Sequence, residues 1–353
     1  MNHFRIAPSS ILVLSVFAVF AVLAAPLLLS KAAESNQVAI TRSFEFTYQV
    51  HVPALPEPPG TLRLWIPLPQ ADGYQDIASL HIDSPVPYKQ GRDPEYGNTF
   101  AVFTPSPLQA VSGFDVTVRF MAIRREHKVS LDAATLSNVS VPASRDAHMQ
   151  RYLEPDKLVP LSGTIAELAK EHTAGDTTAL QKARHIYDYV VATMKYDKSG
   201  EGWGRGDAIW ACTAKRGNCT DFHSLFIGMM RSSGIPARFE IGFPLPENKT
   251  EGDIPGYHCW AEFYVDGVGW VPVDASEAWK NPAKRDYFFG AHDTNRIFFT
   301  YGRDIRLSPD QKGDPLNYFI YPYAEANGQP VKNPQTHFSF RDISDTKKAS
   351  AGR

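Results

Sequence analysis

Gly217-Asn218-Cys219-Thr220-Asp221-Phe222-His223-Ser224-Leu225-Phe226 places a cysteine at the first turn of a predicted helix. The helix is expected to run from Cys219 to Ser233, burying Phe222, Leu225, Phe226 and Met229, with Gly234 and Pro236 as its stop. A thiol in that position has two physical advantages. The partial positive charge of a helix N-terminus lowers its pKa toward the nucleophilic thiolate. The first-turn N–H groups have no helical partner and can hold an oxyanion. A lone cysteine is more often a small buried hydrophobe, so the reading needs partners.

A thiol nucleophile needs a base, and the base needs an orienting group. Downstream, Tyr257-His258-Cys259-Trp260-Ala261-Glu262-Phe263-Tyr264-Val265 reads as a strand, an Asp266-Gly267 turn follows, and Trp270 to Asp274 reads as the next strand. An odd loop or a bulge places His258 and Asp274 on the same side of such a hairpin; a three-residue loop at Val265 to Gly267 would set them directly opposite. Cys219 as nucleophile, His258 as base and Asp274 as its anchor form a complete constellation. Taken singly, the histidine and the aspartate read equally as core and strand-end residues.

Outward from this core the chain divides. From Val38 to Pro142 the period is two: Phe44, Phe46, Tyr48, Val50 and Val52 alternate with polar residues, as do Phe114, Val116, Val118 and Phe120. With short runs at Leu62 to Ile66, Ile77 to Ile82 and Thr99 to Phe103 between prolines, residues 38–142 are expected to form a β-sandwich without a catalytic constellation. Residues 146–343 then form an α+β catalytic unit. It includes a helix from Thr164 to Lys170 and a longer one, capped by Asp176, that buries Ala179, Ala183, Ile186, Tyr187, Val190, Val191 and Met194. Strands follow at Ala237 to Phe243 and Asn317 to Tyr323, and residues 344–353 read as a disordered tail. Ahead of it all, residues 1–32 carry an apolar run from Ile11 to Leu29 behind Arg5, ending at Ser30-Lys31-Ala32-Ala33. This is export-signal composition, read as a cleaved signal peptide or an uncleaved membrane tether; both place the rest outside the cytoplasm, periplasmic or secreted.

Composition narrows the role. The 353 residues carry 36 Lys and Arg against 38 Asp and Glu, a net charge of −2, so nothing favours phosphate backbones and no nucleic-acid partner is expected. Three cysteines are too few for a disulfide scaffold.

Gly217 to His223, Gly234-Ile235-Pro236-Ala237-Arg238, Tyr257 to Glu262 and Gly269 to Asp274, with Met194-Lys195-Tyr196-Asp197 upstream, together resemble the bacterial transglutaminase-like superfamily over residues 180–275. The resemblance implies a papain-like core, a Cys-bearing helix packed on an antiparallel sheet, behind the N-terminal β-domain. It implies Cys219, His258 and Asp274 as the triad, with Tyr196, Trp203 and Trp260 as candidates for oxyanion support or the cleft. No cofactor is implied. The expected activity is acyl transfer through a Cys219 thioester on a protein, peptide or cell-wall amide, with water giving hydrolysis and an amine giving transamidation. The superfamily holds peptidases, amidases and cross-linking enzymes, and also inactive members. A non-catalytic binding module is therefore the alternative.

Two further readings compete for the cysteines. Cys219, His223, His258, Cys259 and Cys212 offer metal ligands, but consecutive strand residues 258 and 259 point to opposite faces and no CxxC or HExxH pair is present, so no metal is expected. An oxidising compartment favours a bridge: Cys212 with Cys259 leaves Cys219 free, whereas Cys212 with Cys219 disables it. Arg303, Asp304 and Arg306 read as a solvated strand edge.

Overall fold

Phe44, Phe46, Tyr48, Val50 and Val52 are buried on alternate positions of the strand Thr41–Val52, and Phe114, Val116, Val118, Phe120 and Ala122 on the strand Phe114–Arg125. The two pair antiparallel with Phe46 opposite Phe120 and Tyr48 opposite Val118, so one face of the ladder is continuously apolar. This is a computed structural model describing Met1 and residues 40–131, 147–331 and 334–343. The apolar run at 11–29 and the tail 344–353 lie outside the described residues. Ala39–Arg353 form one compact unit. Among the described residues no helix is long and apolar enough to cross a membrane.

Three antiparallel sheets organise that unit. The first runs in the order Glu251–Asp253, Gln335–Asp342, Thr41–Val52, Phe114–Arg125, Gln75–Asp83. The second runs Gln329–Pro330, Tyr323–Ala326, Leu62–Pro67, Thr99–Phe103, Tyr88–Arg92. Both therefore take strands from the C-terminal segment: Phe338 and Phe340 pair with Tyr48 and Phe46, and Ala324 pairs with Leu64. Alternation marks a strand but does not name its partner, and these partners lie 260 to 294 residues away in sequence. The expected strand over Asn317 to Tyr323 is displaced to Tyr323–Ala326, and Asn327 and Gly328, both at positive φ, turn it into Gln329–Pro330.

The third sheet positions the site. Its order is Gly269–Val273, His258–Val265, Ala237–Pro244, Arg296–Tyr301. Phe243 and Phe299 of this sheet pack against Phe46, Tyr48 and Phe338 of the first, with ring centroids 4.3 to 6.2 Å apart. Burying one such ring against leaving an alanine is worth about 3–5 kcal/mol, so the first sheet acts as a rigid backing for the third.

The helix Cys219–Ser232 packs on this sheet and is buried on all sides rather than on the one expected face. Its polar residues are individually satisfied. Ser224 accepts from Arg303 Nη1 at 2.7 Å, and Arg231 pairs with Asp156 at 2.8 Å. The longer upstream helix, Ala179–Thr193, buries the expected stripe, but its cap is Thr178 in a reciprocal box with Gln181, not Asp176. Asp176 instead meets His185 Nδ1 at 2.8 Å. The shorter helix spans Thr164–His172 behind Gly163, without the capping box expected from Thr164 and Glu167.

Candidate active site

Asn218 caps the Cys219 helix. Its side chain accepts from the Thr220 N–H at 2.9 Å, while the Asp221 carboxylate reaches back to the Asn218 N–H at 2.9 Å. Asp221 also accepts from the Gly204 and Gly206 amides at 2.7 and 3.0 Å, fastening the glycine-rich loop to the helix start. Gly217 is required here. Its φ is +150°, and a Cβ would stand 2.3 Å from Asp221 Oδ2. Cys219 is thereby fixed as the first helical residue, its N–H among those without a helical acceptor.

His258 opens its strand and Asp274 follows the end of the next. The hairpin loop has three residues, Asp266 to Val268, which keeps the two on one side; the register pairs Ala261 with Val273 and Val265 with Gly269. That is two residues away from the register that would set 258 opposite 274. The pair therefore meets diagonally, with Asp274 already leaving the sheet as the N-cap of the helix Ala275–Lys280. His258 Nε2 lies 2.7 Å from Asp274 Oδ2, which leaves Nδ1 for the hydrogen bond the ring makes with Cys219.

Asp274 is fully buried and surrounded by donors. Oδ1 accepts from the Ser276 hydroxyl and the Glu277 N–H, both at 3.0 Å. Oδ2 accepts from His258 and, at 3.0 Å, from Arg296 Nη1. Burial alone would raise this carboxyl's pKa; His258 and Arg296 outweigh it and hold it well below the usual range. Likewise burial would lower the His258 pKa, but the Asp274 charge and hydrogen bond carry it up to about 10. Burial would raise the Cys219 pKa; hydrogen bonds from Cys259 and His258 hold it well below 9.0. These directions favour a thiolate–imidazolium pair anchored by a carboxylate.

His223 is held in a structural role. Its Nδ1 donates to the Cys219 carbonyl at 2.8 Å, and Nε2 accepts from the Ala275 N–H at 3.1 Å, so both nitrogens are spent and the ring is neutral. All three cysteines are free thiols. Both His258 and Cys259 reach the Cys219 sulfur, contrary to the expected alternation, because His258 stands at the strand's first residue.

The three aromatic candidates separate. Tyr196 is half-buried beside the thiol; burial and the Cys219 charge push its phenol up, and the Lys280 ammonium sits 4.1 Å over its ring. Trp203 stays on the glycine-rich loop, donating to the Gly200 carbonyl at 3.1 Å. Trp260 does not line a cleft: it is fully buried, 5.9 Å behind the His258 ring, with its indole N–H spent on Glu240. The strand edge expected at Arg303 is also interior, since Arg303 is 1% exposed and donates to the Arg205 and Gly206 carbonyls and to Ser224. Three residues carry no signal in the motif blocks. Arg296 anchors Asp274 from a non-adjacent strand. Tyr318 and Tyr321 stand 5.5 and 5.9 Å from Tyr257, whose hydroxyl meets Thr220 at 2.9 Å and Asn218 at 3.0 Å.

This arrangement, a helix-borne cysteine set against a histidine and an aspartate on an antiparallel sheet, is that of a transglutaminase-like core. Residues 166–275 match the model of the transglutaminase-like superfamily, so the chain carries a transglutaminase-like core. An uncharacterized protein of Haemophilus influenzae is 29% identical over 340 residues, covering 84% of this chain and 89% of its own. The uncharacterized protein YebA of Bacillus subtilis is 27% identical over 150 residues, 38% of this chain and 20% of YebA. A solved candidate cysteine protease from Cytophaga hutchinsonii superposes with a TM-score of 0.61 at 15% identity, covering 87% of this chain and 91% of that one, a likeness of fold alone.

Proposed function

We propose that this protein is an exported thiol enzyme that transfers acyl groups from amides through a thioester on Cys219. The observation that carries the reading is the His258–Asp274 pair at 2.7 Å beside Cys219, whose hydrogen bonds and charges lower the thiol pKa against the opposing effect of burial. Export is supported by the sequence alone, through the apolar run Ile11 to Leu29.

The Cys219 thiolate attacks the amide carbonyl carbon, forming the C–S bond and an oxyanion within reach of the helix N-terminal N–H groups. Collapse breaks the C–N bond as His258 Nδ1 delivers its proton to the departing amine. The neutral imidazole then takes a proton from the acceptor, which attacks the thioester. The C–S bond breaks, thiolate and imidazolium are restored, and the product is an acid from water or a new amide from an amine. Asp274 keeps the proton-bearing Nε2 turned away from the sulfur throughout.

A peptide mixture incubated with the enzyme and a tagged primary amine, read by mass spectrometry, separates the two acceptors. Cleaved or amine-tagged products are expected from the wild type and from neither Cys219→Ala nor His258→Ala, with the folding of each variant checked by circular dichroism. Undiminished product formation by a folded Cys219→Ala variant would sink the assignment.

A further inference from the structure

Behind the triad lies a second buried cluster that the acyl-transfer chemistry does not use. The two-residue strands His127–Lys128 and Ala291–His292 pair with His127 opposite His292, and Glu262 of the His258 strand faces them both. Ligand atoms of His127, His292 and Glu262 lie within 4.8 Å of one another, and the three residues are 5%, 0% and 2% exposed. His292 is the informative member: both of its ring nitrogens are buried without any hydrogen-bond partner. A neutral imidazole carries one donor and one acceptor, and burying both unpaired is rare in a folded protein.

We propose that His127, His292 and Glu262 form a binding site for a first-row divalent cation, zinc in the first instance. Two imidazoles and one carboxylate are a donor set that suits zinc with a fourth position left for water. At metal–ligand distances near 2.1 Å, neighbouring ligand atoms of a tetrahedral site stand about 3.4 Å apart. His127 Nδ1 and Glu262 Oε1 are already 3.2 Å apart, so only the His292 ring has to close in. The rings are held for it. Tyr74 stacks on His127 at 3.6 Å, and Trp260 meets His292 edge-on at 5.7 Å. Of the surrounding guanidiniums, Arg238 is held by Glu262 Oε2 and Glu240 and Arg296 by Asp274 and Asp293, while Arg124 stands 3.7 Å from Asp72 with its Nε and Nη1 buried and without a hydrogen-bond partner. Glu262 Oε1 remains for the cation. A bound cation would tie the short strand pair to the His258 strand, four residues ahead of Arg296 and so next to the anchor of Asp274.

The test uses cobalt(II) as a coloured substitute for zinc, on full-length protein stripped with chelator and carrying Cys212→Ala, Cys219→Ala and Cys259→Ala, so that thiolates cannot compete. One equivalent is expected to bind, with visible ligand-field bands and no sulfur charge-transfer band, and zinc is expected to displace it. His292→Gln, checked for folding by circular dichroism, should weaken binding by a factor of about 100 or more, since outer-shell changes alone cost 10–100-fold. His127→Gln repeats the test should the first variant not fold, and X-ray absorption on the unmutated zinc-loaded protein should give a nitrogen and oxygen first shell. No cobalt binding, binding indifferent to both substitutions, or a first shell containing sulfur would each overturn the site and leave water as the partner of His292.

Discussion

Asp274→Asn is the most informative single change, because all four groups around the carboxylate are donors: the Ser276 hydroxyl, the Glu277 N–H, Arg296 Nη1 and His258 Nε2. An asparagine keeps one acceptor oxygen, and the N-cap geometry takes it, since Asn caps as well as Asp. The amide NH2 then faces Arg296 and His258. His258 can satisfy it only by turning Nε2 into an acceptor, which moves the ring proton to Nδ1, against the sulfur. The imidazole becomes neutral, in the wrong tautomer, and the thiol loses its counter-ion. Its pKa returns at least to the ordinary 9.0, so at pH 7 about 1% is thiolate. Each unit of basicity regained returns about threefold in intrinsic reactivity per thiolate, which offsets the lost population, so the rate at a single pH is a blunt measure. The sharper readout is the shape of the profile. Iodoacetamide labelling of Cys219, followed by mass spectrometry, should be nearly flat from pH 6 to 8 in the wild type and rise about tenfold per pH unit in the variant. Arg296 keeps only Asp293, at 3.4 Å, so a stability loss toward the lower end of about 3–5 kcal/mol accompanies the change, and labelling must be run well below the melting transition. A folded Asp274→Asn protein with the flat wild-type profile would refute the claim that this carboxylate holds the ion pair.

Cys259→Ala removes a donor to the Cys219 thiolate but neither the base nor its anchor, so the labelling profile should shift toward higher pH by less than in Asp274→Asn, with turnover retained. Gly217→Ala drives a Cβ into Asp221 Oδ2 and releases the loop amides that carboxylate holds; about 2–3 kcal/mol should be lost in urea unfolding, and an unchanged midpoint would show that the contact yields freely. The ion pair also sets a stability window. The raised His258 pKa stabilises fully below about 6.5 and is lost through about 10, whereas the lowered Cys219 pKa stabilises fully above 9.0 and is lost as pH falls through its folded value. Between about pH 6.5 and 9 folded and unfolded states therefore hold the same number of protons on the pair, and the unfolding free-energy difference between wild type and Cys219→Ala/His258→Gln should be flat there and shrink on both sides.

What the sequence discloses here is local, and what it withholds is pairing. Asn218 before Cys219 and an apolar run behind it announce a capped helix, because capping and periodicity act within a few residues. The hairpin from 258 to 274 is legible for the same reason, yet its register came out two residues from direct opposition, since Asp266 to Val268 form the loop and Val265 already pairs with Gly269. Asp176 and Thr178 are both good caps by composition, and Gln181, three residues after Thr178, decides between them. Arg303 reads as solvated in any window around it; only the distant carbonyls of Arg205 and Gly206 and the Ser224 hydroxyl explain a buried guanidinium.

Arg296 shows why the hidden part matters most for chemistry. Its strand joins the sheet through Ala237–Pro244, with a register shift between Ile241 and Gly242, and only that pairing brings its Nη1 to Asp274. A fully buried carboxylate with one cationic neighbour could settle by sharing the proton of His258, and the imidazole would then lose its charge. The second cation makes proton uptake by Asp274 unfavourable, so the proton stays on His258 and the thiol stays ionised. The proposed reactivity of Cys219 thus rests on a residue 77 positions away that no motif contains, and Arg296→Met should raise the pH at which Cys219 labels even though it touches neither the sulfur nor the base.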